Sequence, residues 1–439
     1  MSAPDNLTQL MTDGRVPFSE DDLANRFSAE HADDLRYCET WKRWLVWDQS
    51  RWRPDVTVRI FDLAREVCSR AAALCNQPSK KIASAATIAA VERLARSDRR
   101  HATTPDQWDA DPLLLNTPGG VVDLCTGKMR PNRPDDYMTK QTAVAPDDNC
   151  PLWHNFLDRI TDGNNDLKTF LQRMAGYSLT GSVREHCLFF AYGTGANGKS
   201  VFLNTMAHIA ADYHVAAPVE MFMASRNDRH PTELAGLQGA RLVTAMETEG
   251  NRRWAESRIK ALTGGDPIAA RFMRGDFFTF TPVFKLLIAG NHKPALRTVD
   301  EAIRRRLHLI PFAVTIPRAE RDPDLPEKLR AEWPGILAWA IEGAVEWRAN
   351  GLQPPAVVTD ATLEYLAGED LITVWLEDHC YQESNARTLA SALYKSFKEW
   401  AETTGERPGT QRAFSTALES HGYRKEKTRD GRYFNGLRL

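Results

Sequence analysis

The sequence lacks the features that place a protein in or across a membrane. No run approaches the roughly 18 apolar residues that a membrane span requires, and the first residues, MSAPDNLTQLMTDG, contain no basic segment followed by an apolar one. An excess of charge is also missing, because 56 Lys and Arg side chains face 58 Asp and Glu, for a formal net charge of -2. We therefore expect a cytoplasmic protein without a membrane partner, whose contacts with nucleic acid are confined to local basic surfaces.

Cysteine is scarce, and internal repeats are absent. The 7 cysteines form no C-x-x-C pair, which argues against a disulfide framework and a zinc site and predicts reduced, mostly buried thiols. No period of about 20 to 50 residues is visible, which excludes a repeat solenoid. A length of 439 residues instead predicts several domains.

A phosphate-binding loop is predicted after a short apolar strand. The run CLFFAY at 187–192 suits a buried strand, GTGANGKS at 193–200 has the spacing G-x-x-x-x-G-K-S, and an apolar helical period follows. Glycines let N–H groups turn toward phosphate oxygens, and the helix N-terminus adds partial positive charge. We expect Lys199 to be an exposed phosphate ligand and Ser200 to ligate Mg²⁺. The expected nucleotide-binding residues are Gly193, Gly195, Asn197, Gly198, Lys199 and Ser200.

Two later strands end in polar residues that suit ATP hydrolysis. The strand RLVTAM at 241–246 leads to Glu247 and Glu249, which can hold Mg²⁺ through water and polarise an attacking water, or can be exposed acidic turn residues. The strand FKLLIA at 284–289 leads to Asn291, whose amide can orient that water.

Three arginines, Arg304, Arg305 and Arg306, precede the apolar run at 307–312. Such a cluster is either a solvated basic turn or an arginine finger that completes the site of a neighbouring subunit. Its position after the phosphate loop and the two polar strand ends favours the finger.

These motifs in this order resemble the superfamily 3 helicases, specifically the C-terminal helicase part of the phage and plasmid primase family, which poxvirus primase-helicases share. The resemblance spans about residues 110 to 350. It rests on GTGANGKSVFLNTM from Gly193, RLVTAMETEG from Arg241, IKALTGGDPIAARFMRGDFFTF from Ile259, FKLLIAGNHKP from Phe284 and DEAIRRRLHLIPF from Asp300.

The resemblance implies an AAA+-like core that forms a ring, usually a hexamer, with ATP at subunit interfaces and single-stranded DNA through the centre. It makes Lys199 and Ser200 the ligands of phosphate and Mg²⁺ and makes Asn291 the sensor. Either Glu247 or Glu249 would polarise water, and either Arg305 or Arg306 would be the finger.

A β-hairpin is predicted between these motifs, from 268–273 and 277–280. In the resembled family a hairpin at this place projects into the ring channel. Arg274 near its tip, with Arg271 as a second candidate, would then contact DNA phosphates. A surface hairpin with an exposed arginine is the alternative.

The N-terminal residues 1–110 are predicted to be mostly helical, with a hairpin at Trp41–Trp52. Its four tryptophans, interleaved with basic residues, suit either stacking on single-stranded bases or a small aromatic core with a basic rim, and we favour the core. A β-rich connector with a helical segment at Trp153–Leu179 follows over 111–185.

A winged helix is predicted at the C-terminus. A helix over Thr388–Thr403, a second helix from Thr410 and a basic hairpin follow one another. The second helix would enter the major groove and the wing would contact phosphate, although the same fold also serves protein contacts. The expected DNA-binding residues are Arg412, Arg424, Lys425, Lys427, Arg429 and Arg432.

Taken together, the patterns predict an α/β protein with an AAA+-like P-loop ATPase core at 186–355, an N-terminal mixed α/β region, and a winged helix at 356–439. The expected function is an ATP-dependent, ring-forming DNA helicase or translocase for replication of a phage, plasmid or other mobile element. Its partners would be single-stranded and duplex DNA, further copies of the chain, and a separate primase or initiator. Primer synthesis is not expected, because the stretch before residue 110 has no zinc ligands and only Asp109 and Asp111 as a carboxylate pair.

An ATP-regulated origin-binding initiator that acts through the winged helix is the alternative function, and strand displacement on a forked DNA separates the two. A metabolic P-loop kinase would leave the hairpin, the arginines and the basic tail unexplained.

Overall fold

The structure, a computed structural model, describes residues 16–75, 80–147, 149–225, 232–246, 253–273, 275–296, 299–369, 371–406, 408–428 and 431–439. The helices in these ranges are α1 Glu20–Glu30, α2 Arg59–Leu74, α3 Ala85–Ala95, α4 Pro151–Thr161, α5 Asn165–Leu179, α6 Lys199–Ala210, α7 Thr232–Ala235, α8 Glu256–Gly264, α9 Glu301–Arg304, α10 Leu325–Ala331, α11 Trp333–Asn350, α12 Ala356–Glu369, α13 Leu371–His379, α14 Ala390–Thr403 and α15 Gln411–Ser420. The strands are β1 Leu35–Cys38, β2 Arg43–Trp47, β3 Trp52–Pro54, β4 Ala102–Thr103, β5 Leu114–Thr117, β6 Gly120–Asp123, β7 Met129–Arg130, β8 Leu188–Tyr192, β9 His214–Ala216, β10 Leu242–Met246, β11 Ile268–Arg271, β12 Phe277–Phe280, β13 Lys285–Gly290, β14 Leu307–Pro311, β15 Tyr381–Leu389, β16 Lys425–Thr428 and β17 Gly431–Arg438.

The N-terminal part is a four-stranded sheet, in the order β3-β2-β1-β4, covered on one face by α1, α2 and α3. The predicted hairpin is confirmed as the pair β2 and β3, in which Trp47 lies opposite Trp52. Trp44, Trp47 and Trp52 are buried, and Trp44 Nε1 donates to the buried Glu92 carboxylate at 2.7 Å. Three of the four tryptophans are therefore core residues, as favoured, and Trp41 is half-buried against them.

A five-stranded parallel sheet, in the order β14-β8-β13-β10-β9, forms the centre of the molecule. Helices α4, α5, α6 and α11 contribute to the hydrophobic core on one face, whereas α8, α12 and the β11–β12 hairpin contribute to the core on the other. Strands covered on both faces read as continuous apolar runs, as these do. The predicted α/β class is thereby confirmed as a mixed α/β fold with a parallel sheet.

The helical segment predicted at Trp153–Leu179 consists of two helices. Asp162 and Gly163 adopt left-handed backbone conformations between them, and Asn164 begins α5 by accepting a hydrogen bond from Leu167 N at 3.0 Å. Helix α5 then packs closely on α11. A Cβ atom on Gly343 of α11 would overlap the Gln172 carbonyl oxygen, so this contact requires glycine.

The connector is joined to the central sheet through Arg241, which stands immediately before β10. Its buried guanidinium donates to the carbonyl oxygens of Leu179 at 2.9 Å, Leu114 at 2.9 Å and Asp111 at 3.1 Å, and it stacks 4.5 Å from the Tyr213 ring centre. One side chain therefore holds the end of α5, the connector strand β5 and the start of β10 together.

The C-terminal segment contains α13, α14 and α15 packed around Trp375, with the sheet β15-β17-β16. Thr388, expected to begin a helix, is a strand residue opposite Phe434, and the helix begins at Ala390. The predicted division into four domains stays a prediction.

All seven cysteines lie in the described ranges and are free thiols. None of the helices in those ranges combines the length and the apolar character needed to cross a bilayer.

Candidate functional site

The loop at 193–200 connects β8 to α6 and contains several left-handed residues. Gly195 has φ 102°, Ala196 has φ 51° and Gly198 has φ 83°. Backbone of this kind can direct successive N–H groups toward one anion. Gly193 has no room for a side chain, because a Cβ atom would overlap the Phe312 carbonyl oxygen. Glycine is therefore required at this position by the close approach of the backbone at Phe312.

The loop also rests on α4. A Cβ atom on Gly198 would overlap the side chain of Ile160 and press against the ring of Phe156. Both of these residues belong to the core that covers one face of the central sheet. The loop is therefore supported by packing against α4, which precedes it by about 40 residues in the chain.

Lys199 begins α6 and is buried, with 5% of its surface exposed. Its ammonium donates to Gly193 O at 2.7 Å, to Asn197 Oδ1 at 3.1 Å and to Asn291 Oδ1 at 3.3 Å. The expectation of an exposed lysine was wrong. Burial lowers its pKa from the ordinary value, and the three oxygen acceptors replace the water that the ammonium has lost.

The carboxyl ends of the parallel strands place the expected residues at one edge of the sheet. Tyr192 of β8 pairs with Gly290 of β13 and with Pro311 of β14, so Asn291 follows directly beside the loop. Strand β10, which pairs with β13, ends at Met246 on the same edge. In open α/β sheets ligands bind at this edge.

Two further predicted groups bear on this edge. Ser200 is exposed on the first turn of α6, where its hydroxyl is accessible to a ligand. Glu247 and Glu249 follow β10 but lie outside the described residues.

Of the three arginines, Arg304 and Arg305 are exposed and Arg306 is buried. Arg306 is 8% exposed; its Nε donates to Thr263 Oγ1 at 3.3 Å and its Nη1 to Ala302 O at 2.8 Å. Burial, followed by the neighbouring charge of Arg305, lowers the pKa of Arg306. Arg305 is exposed, and within the described ranges its side chain makes no hydrogen bond or ion pair. The Arg306 guanidinium is therefore bound within its own chain, whereas the Arg305 guanidinium is available to another subunit.

The predicted hairpin is confirmed as β11 and β12, with Arg271 opposite Phe277. Arg271 Cζ lies 5.0 Å from the centre of the Phe277 ring. Arg274 lies outside the described residues. The sequence analysis did not single out the apolar side chains beside the turn, where Phe272 is 53%, Met273 77% and Phe277 62% exposed. The sequence feature that could have identified them is the run FMRGDFF, in which large apolar residues flank a turn.

The basic residues of the tail do not form one cluster. Arg412 on the first turn of α15, Lys425 on β16 and Arg432 on β17 line a common cavity of about 750 Å³, which also includes Ser415. Arg424 precedes β16, Lys427 lies opposite Arg432 at the outer end of the hairpin, and neither lines the cavity. Arg429 lies outside the described residues.

Comparisons with protein families match two parts of the chain. Residues 24–162 match the family described as D5 N terminal like, and residues 191–306 match a family of unknown function, DUF5906. The second match spans the phosphate loop, the strand ends and the arginines.

Several viral proteins are related to the chain over about two thirds of its length. "Putative helicase L207/L206" of Acanthamoeba polyphaga mimivirus is 25% identical over 332 residues, which cover 69% of this chain and 34% of that protein. "Putative helicase 121R" of Invertebrate iridescent virus 3 is 26% identical over 336 residues, which cover 67% and 35%. The chain thus spans about a third of the length of these relatives.

Solved structures share the fold. The apo C-terminal region of NrS-1 has a TM-score of 0.51 at 9% identity, covering 94% of this chain and 97% of that one. A second structure of the same region has a TM-score of 0.52 and covers 95% and 99%. The expected resemblance is confirmed to this extent: residues 24–162 and 191–306 match the D5 N terminal like family and DUF5906, and the related viral proteins are named putative helicases.

Proposed function

We propose that the chain is an ATP-driven DNA helicase or translocase that acts as a ring, usually a hexamer, in the replication of a mobile element. The observation that supports this most directly is the contact between Lys199 Nζ and Asn291 Oδ1 at 3.3 Å. It joins the phosphate loop after β8 to the polar end of the neighbouring strand β13. A hydrolytic site needs both a phosphate ligand and a group that orients water, and this contact brings the two side chains together.

The residues present fit a nucleotide with its magnesium ion. The loop of Gly193, Gly195, Asn197 and Gly198 would surround the phosphates, because the left-handed backbone at Gly195 and Gly198 can turn N–H groups toward an anion. The Lys199 ammonium would exchange its present oxygen acceptors for phosphate oxygens. Ser200 and, through water, Glu247 would hold Mg²⁺, which neutralises charge on the transferred phosphoryl group.

Water activation is assigned to the polar strand ends. Asn291 would orient the attacking water, and either Glu247 or Glu249 would polarise it. The three residues follow paired parallel strands that end at the same edge, which supports a common site.

The arginine cluster supports a site shared between subunits. Arg305 is the proposed finger, since it is exposed and without a partner in the described ranges, whereas Arg306 is committed to α8 and α9 of its own chain. A finger supplied by a neighbour requires a head-to-tail interface, and such an interface forms a ring when the rotation between subunits closes. The site would therefore be incomplete in a monomer.

DNA contacts are assigned to two surfaces. The β11–β12 hairpin would contact single-stranded DNA in the ring channel, with Arg271 and Arg274 on phosphates and Phe272 against a base, because exposed aromatic rings stack on bases. The tail is proposed to be a winged helix that binds duplex DNA. Its order of helix, helix and basic hairpin supports this assignment.

The proposal is tested by ATP hydrolysis with and without single-stranded DNA, and by strand displacement on a forked DNA. We expect the 439-residue chain to hydrolyse ATP faster with single strands and to displace a strand, and Lys199→Ala to lose both activities. Lys42→Ala, which removes an exposed lysine of the N-terminal part, is the matched control. ATP-dependent assembly on duplex DNA without strand displacement, under either polarity of fork, would instead support the initiator function.

A further inference from the structure

The tail cavity lies between the starts of α14 and α15 and the basic hairpin. We use the name for the space lined by Ala390, Ser391, Arg412, Ser415, Lys425 and Arg432. These residues come from four elements that meet around the small core at Trp375. Because the walls are formed by separate elements, their convergence depends on the fold of the tail and was not visible in the spacing of its basic residues.

Three cations, Arg412, Lys425 and Arg432, line the cavity, and the described lining residues include no carboxylate. Arg432 is exposed and makes no side-chain hydrogen bond or ion pair within the described ranges. The Lys425 ammonium lies 3.5 Å from the carboxylate of Glu419 and 5.7 Å from the centre of the Phe434 ring. The cavity therefore retains an excess of positive charge and favours an anion.

Ser415 adds an uncharged hydrogen-bond donor to the cavity. It is 5% exposed and lines the cavity, and its hydroxyl makes no hydrogen bond in the part of the chain that the structure describes. Buried helical hydroxyls ordinarily donate to the carbonyl one turn earlier, as Thr263 does to Ile259 O at 2.7 Å. Because Ser415 lines the cavity, its hydroxyl is available to donate to a ligand bound there.

The start of α14 adds backbone donors. This helix has 14 residues, and its first residue, Ala390, follows Leu389, which provides no side-chain cap. The first N–H groups of a helix have no partner within it, and they carry the positive end of the helix dipole. Ala390 and Ser391, the first two residues of α14, line the same cavity as the three cations.

We propose that the tail cavity binds one phosphate group of a DNA strand, which Arg412, Lys425 and Arg432 share and to which the Ser415 hydroxyl donates. This inference rests on the proposed contact between the tail and DNA and specifies it. The three cations act on a single phosphate, whereas Arg424 and Lys427, which lie outside the cavity, contact other phosphates. The phosphate is either internal to a strand or at its 5′ end, since both present the same oxygens.

The salt dependence of duplex binding distinguishes one shared phosphate from three separate ones. The plot of log K against log salt has a negative slope, and each phosphate that is no longer neutralised reduces the magnitude of that slope by about 0.9. Replacing Arg412, Lys425 and Arg432 together by Ala should therefore reduce the slope by about 0.9, whereas three separate contacts would reduce it by about 2.7. Fluorescence anisotropy of a short duplex with the 439-residue chain measures this slope. Adding Arg424→Ala to the triple variant should reduce the slope further.

Ser415→Ala tests the same site without removing charge. Alanine is a favourable helix residue, so the helix is expected to form. Loss of a hydrogen bond to a charged phosphate should weaken duplex binding about 10-fold. In the triple-alanine background the same change should have no further effect, because the phosphate is already lost.

The source of the phosphate is identified with three duplexes, one with 5′-phosphates, one with 5′-hydroxyls, and one closed at both ends by hairpin loops. Binding that depends on the 5′-phosphate and disappears in Arg432→Ala assigns a strand end. Equal binding of the closed duplex assigns an internal phosphate.

A triple variant whose slope falls by about 2.7, or a Ser415→Ala chain that binds as the wild type does, would overturn the shared site. A wild-type chain that binds no duplex would overturn it as well. Failure of the proposed ATP-driven activity would appear separately, as absent hydrolysis with duplex binding retained.

Discussion

Substitution of Arg305 and Arg306 separates a residue that acts on a neighbour from one that stabilises its own chain. Arg305→Ala removes an exposed guanidinium with no partner in the described ranges, so the free energy of unfolding should change by less than about 0.5 kcal/mol. If Arg305 is the finger, ATP turnover should fall by about 10³-fold or more while nucleotide still binds. Arg304→Ala, at the adjacent exposed arginine, is the control.

Arg306→Ala should have the opposite profile. It removes a buried guanidinium with hydrogen bonds to Thr263 and Ala302, at 3.3 Å and 2.8 Å. Thr263 keeps its hydrogen bond to Ile259 O, and the desolvation of Arg306 is relieved, so the loss of stability should be about 1 to 3 kcal/mol. Guanidinium chloride unfolding measures it, and turnover per folded molecule should change little.

Mixing extends the test to the interface. In an equal mixture of Arg305→Ala and Lys199→Ala chains, about a quarter of head-to-tail interfaces pair an intact Lys199 with an intact Arg305. Turnover should recover to about that fraction of the wild-type value when the sites act independently. Near-normal turnover of Arg305→Ala alone, or a mixture that assembles but remains inactive, would refute the assignment of the finger.

Three further outcomes are expected. Burial between Phe170 and Phe189 lowers the pKa of His308 to about 4. As the pH falls below about 6.5, the unfolded chain binds a proton at His308 that the folded chain does not, so the folded state loses stability. Urea titrations should therefore show that His308→Gln loses less stability than the wild type between pH 7 and pH 5, with a difference of at most about 2 kcal/mol. Gly343→Ala should destabilise the chain by at least about 2 kcal/mol in chemical unfolding, because the new Cβ overlaps a backbone carbonyl of α5, and a stability equal to the wild type would contradict the close packing of the two helices. Removing residues 371–439 should weaken duplex binding and lower its salt slope, while ATP hydrolysis stimulated by single strands survives; the cut precedes α13 because Trp375 belongs to the core of the tail, and an unchanged slope would make the tail a surface for a protein partner.

The elements around the proposed nucleotide site could be predicted well from local pattern. Strands β8, β10, β13 and β14 are buried on both faces, so each appears as an apolar run, and the first three are followed by polar or glycine-rich residues. Their pairing was not accessible in this way, because the order β14-β8-β13-β10-β9 depends on contacts between residues far apart in the chain. The contact between Lys199 and Asn291 exists only because β13 lies beside β8.

Other features escaped prediction for definite physical reasons. The strands of the N-terminal sheet have two to five residues each, which is too short for their alternation to stand out from the surrounding helices. Arg305 and Arg306 are the same residue type, so the sequence does not distinguish them. In the structure they differ in burial against α8 and in hydrogen bonding. Ser415 belongs to no motif, and its role emerges only where two helices and a hairpin meet.

The support of the phosphate loop by α4 affects how the chain can be divided. Ile160 and Phe156 fill the space under Gly198, and the first turn of α4 is itself held by the Glu332 carboxylate, which accepts from Leu152 N at 2.9 Å and from Trp153 N at 2.8 Å. A fragment that begins at residue 186 would expose to water the side of the 193–200 loop that packs on Ile160 and Phe156. The smallest fragment able to bind nucleotide should therefore start at or before residue 150, and a shift of the loop on nucleotide binding would be transmitted mechanically to α4 and to the start of α11.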